Sequence, residues 1–220
     1  MKLPAYFDDV PRLRVRDPLA ELLGSAQDGI FEYTYADAVR LTGHSCPTVA
    51  AAYWLTWLAM HELFPDRLPQ RGGVKVEFRD EARVGSTGVV ANVVQMLTGA
   101  AGSTGFKGIG GRFGRAGLIR FKPDLPMQLR FTRLDNGEAV DAEADLSFLP
   151  HDEGMEALIQ RCLRKTADEE DIARLGRMWQ ERVRCLLIEC ARDAGVFTVR
   201  RVEGRRGVGQ GIAASSAFRQ

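Results

Sequence analysis

One histidine and one cysteine stand two residues apart in Gly43-His44-Ser45-Cys46-Pro47, and Pro47 opens a long apolar run. Proline suits the first position of a helix, where its missing N–H would be unpaired anyway. Cys46 then falls at the N-cap, beside free N–H groups and the positive end of the helix dipole. That setting favours the thiolate, the form that binds metal or attacks. Residues two apart in extended chain project to one side, so His44 can stand beside Cys46, and Gly43 permits a tight approach of the backbone. The chemistry on offer is metal ligation, nucleophilic attack or acid–base work. The plainer account is a buried cysteine beside a histidine that satisfies a backbone group.

Two donors do not complete a tetrahedral zinc site. His61, Asp80 and Glu81, with the polar Asn92, Gln95 and Thr98, are available as partners, and spacing does not choose among them. The histidines are His44, His61 and His151, so most acid–base schemes rest on His44. Other chemistries lack their signatures. The glycine-dense stretch 99–117 has no Gly-Lys-[Ser/Thr] and no third glycine after Gly108-Ile109-Gly110 at the right interval, so it does not read as a nucleotide loop. Lys107 and Arg112 could still hold an anion, and the stretch reads as a loop at a site's rim. No Gly-x-Ser-x-Gly occurs.

These residues need elements to position them. PTVAAAYWLTWLAMHELF, Pro47 to Phe64, is apolar nearly all round and should run as a helix through the middle of the fold. Tyr35 to Leu41 reads as a shorter helix stopped by Gly43, and Phe31–Thr34 as a short strand. Val74–Phe78 alternates as a strand with one buried face. Thr87–Leu97 could be strand or helix, although Gly99 resembles a helix stop. Strands follow around Leu118–Phe121 and Met127–Leu134, and Asp135-Asn136-Gly137 is a hairpin signal. Met155–Leu163 and Ile172–Cys190 read as helices, the second with an apolar face through Ile172, Leu175, Trp179, Val183, Leu186 and Leu187.

The expectation is an α+β fold with a central buried helix on a mostly antiparallel sheet and a C-terminal helical extension. Residues 1–150 would form the main domain, with residues 1–20 an irregular leader. Residues 151–195 would be a packing or dimerisation extension, and 196–220 a Gly/Arg-rich tail whose last 20 residues would be mobile.

Composition restricts the partners. A net charge of +1 supplies no field to recruit nucleic acid or an anionic membrane. The longest apolar run, Val49–Met60, is about half the ~20 residues a membrane span needs. Cys46, Cys162, Cys185 and Cys190 form no C-x-x-C pair, which suits a reducing compartment. The charged, proline-broken start is unlike a signal peptide, so a cytoplasmic protein is expected.

Gly43-His44-Ser45-Cys46-Pro47 resembles the G-H-x-C-P-G motif of the formylmethanofuran dehydrogenase E-subunit family. The stretch Asn92–Gly99 is similar to that family's D-A-I-Q-x-x-T-G segment. Phe131–Val140 resembles its strand–turn–strand, so the likeness spans roughly residues 30–142 in order. The resemblance implies an α+β core, a homodimer, and a cleft where His44 and Cys46 bind a transition metal, zinc first, with Asn92, Gln95 and Thr98 lining it for a small-molecule ligand. It does not carry a reaction with it. The chain departs from the pattern at Thr48 (glycine in the family), Asn92 (aspartate), Val89 and Ala100 (often cysteine). Losing anionic donors weakens a divalent site. Two alternatives therefore stand beside the metal-centred cleft. One is a haem-binding module with His44 and Cys46 as axial ligands under Tyr53, Trp54 and Trp57. The other is a non-catalytic dimeric interaction protein with a decayed site.

Overall fold

The computed structural model describes residues 3–121, 124–149 and 153–203. Its first surprise is the stretch read as an irregular leader. Ala5–Asp9 is a 3-10 turn, Leu13–Arg16 is strand β1, and Pro18–Leu22 is a short helix, α1. The three prolines mark element edges: Pro4 and Pro11 precede the first two, and Pro18 is the first residue of α1. β1 buries Leu13 and Val15 and exposes the arginines between and after them. It pairs antiparallel with β2, Ile30–Tyr33.

Helix α2, Tyr35–Thr42, starts with a capping box between Thr34 and Asp37 and stops at Gly43, whose φ of +77° lets Gly43 close the turn without the penalty a Cβ brings. Helix α3, Pro47–Leu63, follows within four residues. Ten of its apolar side chains are buried on all sides, and a fully buried Val, Leu or aromatic contributes about 1.5–3 kcal/mol each. α3 packs on α2 and on α4 (Thr87–Thr98), and across the main sheet. The ambiguous Thr87–Leu97 segment is therefore a helix, closed by Gly99 at φ +72°.

The main sheet runs β4-β3-β5-β6-β7, with β3 Val74–Phe78, β4 Ile119–Phe121, β5 Leu129–Arg133, β6 Ala139–Ala144 and β7 Phe197–Arg201. All its pairings are antiparallel except β3 with β4. The fold is thus mixed α and β, with the buried helix on a mostly antiparallel sheet and a helical C-terminal region, as the sequence leads one to expect. The β3–β4 connection carries α4 and the glycine-dense loop, the length a parallel crossover needs.

The C-terminal helices are α5, Glu153–Leu163, and α6, Glu169–Arg184, which continues into a π-helical turn at Cys185–Glu189. The apolar face read on this segment is buried only toward its end, at Val183, Leu186 and Leu187, where it meets α3, while Ile172 stays 58% exposed. β7 corrects the expected tail. Phe197–Arg201 pairs with β6 from Val140 to Ala144 and so belongs to the sheet. Residues 204–220, the rest of that tail, and His151 lie outside the described residues. Among the described residues, no helix is long and apolar enough to cross a membrane.

Candidate functional site

The chain bends at Gly43 and His44, and Cys46 then takes the N-cap of α3 in extended geometry. The Cys46 side chain makes no capping hydrogen bond, so the thiol is not engaged with the free N–H groups of the first turn. It is half-buried against the core. His44 is exposed, and its Nδ1 lies 3.0 Å from the Thr42 carbonyl oxygen. A carbonyl only accepts, so in the neutral ring Nδ1 carries the proton and Nε2 keeps the free lone pair.

Ser45, between them, is held from three sides. Its Oγ shares a 2.9 Å hydrogen bond with the Tyr35 hydroxyl. Its carbonyl accepts the Trp179 indole N–H at 3.0 Å and the Gln180 amide at 3.3 Å, both from α6. Tyr6 in turn donates to Gln180 Oε1 at 2.9 Å. Burial pushes the Tyr6 hydroxyl up to about 12, so it stays protonated and a donor. Helix α6, read from sequence as a packing or dimerisation element, thus helps to fasten the motif. No local pattern points to Tyr6, Trp179 or Gln180, since each joins this network only through tertiary packing.

The proposed partners are not all brought here. Asp80 borders a cavity of about 280 Å³ that Thr48 also lines, two residues past Cys46, with Ser86 and Thr87 at the head of α4. His61 lies near the other end of α3, roughly 22 Å along the helix from Cys46. There its ring stacks on Trp57 at 3.7 Å, with Nδ1 at the Trp57 carbonyl. Thr98 is buried, donating to the Val94 carbonyl and accepting from the Ala100 N–H, so its hydroxyl closes the helix end. Asn92 is exposed and borders neither this cavity nor the next. Of the aromatic residues that would wall a haem, Tyr53 and Trp54 are buried and donate to backbone carbonyls of Pro11, Tyr33 and Ala191.

Gln95 borders a different and larger cavity, of about 430 Å³, which neither His44 nor Cys46 lines. Its polar wall is Asp17, Arg71 and Arg115. The Asp17 carboxylate is 3% exposed and accepts from Arg115 at 2.6 Å, Arg71 at 3.0 Å, and the Leu19 and Ala20 N–H groups of α1. Burial alone would raise the Asp17 carboxyl, but the hydrogen bonds from Arg115 and Arg71 outweigh it and hold it below its ordinary value. The glycine-dense loop does form a rim, through Gly105 and Phe106. The cations that reach the cavity, however, are Arg71 and Arg115 rather than Lys107 and Arg112. Arg112 lies over the Phe113 ring instead.

A nitrogen and a sulfur donor suit a borderline-soft divalent ion such as zinc. Among the described residues, no three His, Cys, Asp or Glu side chains stand close enough to form a ligand group. The donor types at His44 and Cys46 therefore fit such an ion, while their number leaves positions for water, a ligand or a second copy of the chain. Compared with known proteins, the chain matches no protein-family model and no curated protein.

Proposed function

We propose that the chain binds a divalent transition metal, zinc first, through His44 and Cys46 at the head of α3, and presents it to a small-molecule ligand. One observation carries this reading: His44 Nδ1 is tied to the Thr42 carbonyl at 3.0 Å, which fixes the ring and leaves Nε2 as the free donor. Metal-binding histidines are commonly held in this way by a backbone carbonyl on the opposite ring nitrogen. The Cys46 thiol makes no capping bond and is free to ligate, and the three-sided hold on Ser45 keeps the backbone between the two donors on a fixed frame. The likeness of the first motif to the formylmethanofuran dehydrogenase family points the same way.

When bound, zinc would act as a Lewis acid and lower the pKa of a bound water. The chain's own contribution is positional. Thr42 orients the imidazole, Tyr35 and α6 fix Ser45, and Asp80 stands near Thr48 as a carboxylate able to orient or deprotonate a bound molecule.

The test is elemental analysis and zinc titration of protein purified without a metal-binding tag. About one ion per chain is expected, with affinity falling at least tenfold in both His44→Ala and Cys46→Ala at unchanged fold. Equal metal content in the wild type and both variants, or none in any, would overturn the reading. A Soret band on haem titration, lost in Cys46→Ala, would replace it with the haem module.

A further inference from the structure

From the cavity between α1, the end of α4 and the glycine-dense loop, we infer a second site that binds a small organic oxyanion, a carboxylate or phosphate group on an apolar body. The site is independent of His44 and Cys46.

The charge balance is the first argument. Two guanidiniums face one carboxylate, and that carboxylate already accepts four hydrogen bonds, about all its lone pairs can take. The wall therefore keeps an excess of one positive charge, shared by Arg115, only 8% exposed, and the half-buried Arg71. A buried excess charge is costly unless a counter-charge reaches it.

Unfilled donors are the second argument. The one hydrogen bond the Arg115 side chain makes among the described residues is to Asp17, although a guanidinium carries five N–H groups. Arg182 Nε is the one buried side-chain nitrogen that is both sealed and without a partner among the described residues. The idle Arg115 nitrogens are therefore accessible, and the cavity is the opening that Arg115 lines. Arg71 donates from Nε and one Nη to the Met96 carbonyl and from the other Nη to Asp17, which locks its plane and leaves two N–H groups over. Fixed guanidinium forks match the geometry of carboxylate and phosphate.

Shape supplies the rest. The Gln95 side chain stands on the wall with no hydrogen bond to another side chain among the described residues, and Phe31, Leu23 and Phe106 give the cavity an apolar side, Phe106 being 44% exposed. A few convergent polar groups beside apolar surface are what a small-ligand pocket presents.

The probes are phenyl phosphate, benzoate and inorganic phosphate, titrated calorimetrically into the full chain at low salt. Gln95 can be recharged without disturbing the ion pairs. We expect saturable binding of phenyl phosphate or benzoate, and which of the two binds tighter names the head group. Gln95→Glu should weaken that binding about tenfold and Gln95→Lys should tighten it, as the sign of a nearby charge requires. Phe106→Ala should weaken phenyl phosphate more than inorganic phosphate, and His44→Ala should change nothing. No saturable binding of either aromatic anion at millimolar concentration would overturn the site. So would affinities indifferent to the charge at Gln95. Inorganic phosphate binding as tightly as phenyl phosphate would overturn the organic ligand class.

Discussion

Trp179 on α6 donates its indole N–H to the carbonyl of Ser45 at 3.0 Å, joining the middle of the His-Ser-Cys motif to a helix 134 residues away. Gln180 bonds the same oxygen at 3.3 Å, so either residue can satisfy it alone. Trp179→Phe should therefore cost only about 1–2 kcal/mol. Adding Gln180→Ala should cost more than the sum of the single changes, because only the double variant leaves the Ser45 carbonyl with neither donor. Urea unfolding gives the energies. Iodoacetamide labelling of Cys46 should quicken in the double variant as the motif loosens, and additive energies with unchanged labelling would mean that α6 does not hold it.

Gly43 and Gly99 both end helices in the left-handed region, at φ +77° and +72°. Their surroundings differ. A Cβ on Gly43 meets nothing, whereas one on Gly99 would overlap Arg115 Nη1 and crowd Arg71 and Gly72. Gly43→Ala should cost about 1–2 kcal/mol, the backbone penalty alone. Gly99→Ala should cost at least twice that, because the buried guanidinium must also move. Equal losses in denaturant midpoint would show that Arg115 does not lie against Gly99 in solution.

These two glycines also mark what the sequence made legible. Helix stops, the proline start of α3 and the Asp135-Asn136-Gly137 turn are written in residues a few positions apart, where φ preferences and capping act locally. The alternation of Val74–Phe78 and the all-round apolarity of α3 report burial in the same way. What could not be read was non-local. Asp17 meets Arg115 across 98 residues, and nothing near Asp17 distinguishes it from an ordinary N-cap. β7 was hidden because Phe197–Arg201 is short and runs into glycine and arginine; its partner β6, and not its own composition, makes it a strand. Gln95 and His44 do not line one cavity, for a simpler reason. The two were joined by family likeness, whereas along α4 Gln95 stands two turns beyond Thr87, which borders the cavity near Cys46.

Asp17→Asn keeps a side chain able to cap α1 but leaves the buried Arg115 and the half-buried Arg71 without a counter-charge. Breaking a buried pair in this way should cost about 3 kcal/mol near neutral pH. The pH dependence has a definite sign. The native carboxyl lies below its ordinary value near 3.8, so the stability it provides is complete above that value and is lost as pH falls below it toward the native one. The gap between wild type and Asp17→Asn should be widest near neutral pH and narrow below about pH 4. A gap that is constant from pH 7 to pH 3 would remove the carboxylate's charge from the account.

Cys185 and Cys190 lie one π-helical turn apart, with Sγ atoms at 3.7 Å and the Cys190 N–H bonded to the Cys185 carbonyl. Burial first, then the neighbouring Cys190 and Glu189, push the Cys185 thiol up to about 12. Only the thiolate is alkylated. Iodoacetamide should therefore modify Cys185 slowly at pH 8, and the rate should still be climbing at pH 10. An ordinary thiol, with a pKa near 8.5, would have levelled off by then. Cys190→Ser should speed the reaction only modestly, because burial outranks the neighbouring thiol as the cause and the substitution leaves it in place. Mass spectrometry of peptides labelled at a series of pH values measures this. A plateau by pH 9 would mean that the turn is more open than its contacts with α3 imply. The Trp54 N–H bonded to the Ala191 carbonyl at 2.7 Å would then be the first of those contacts to examine by substitution.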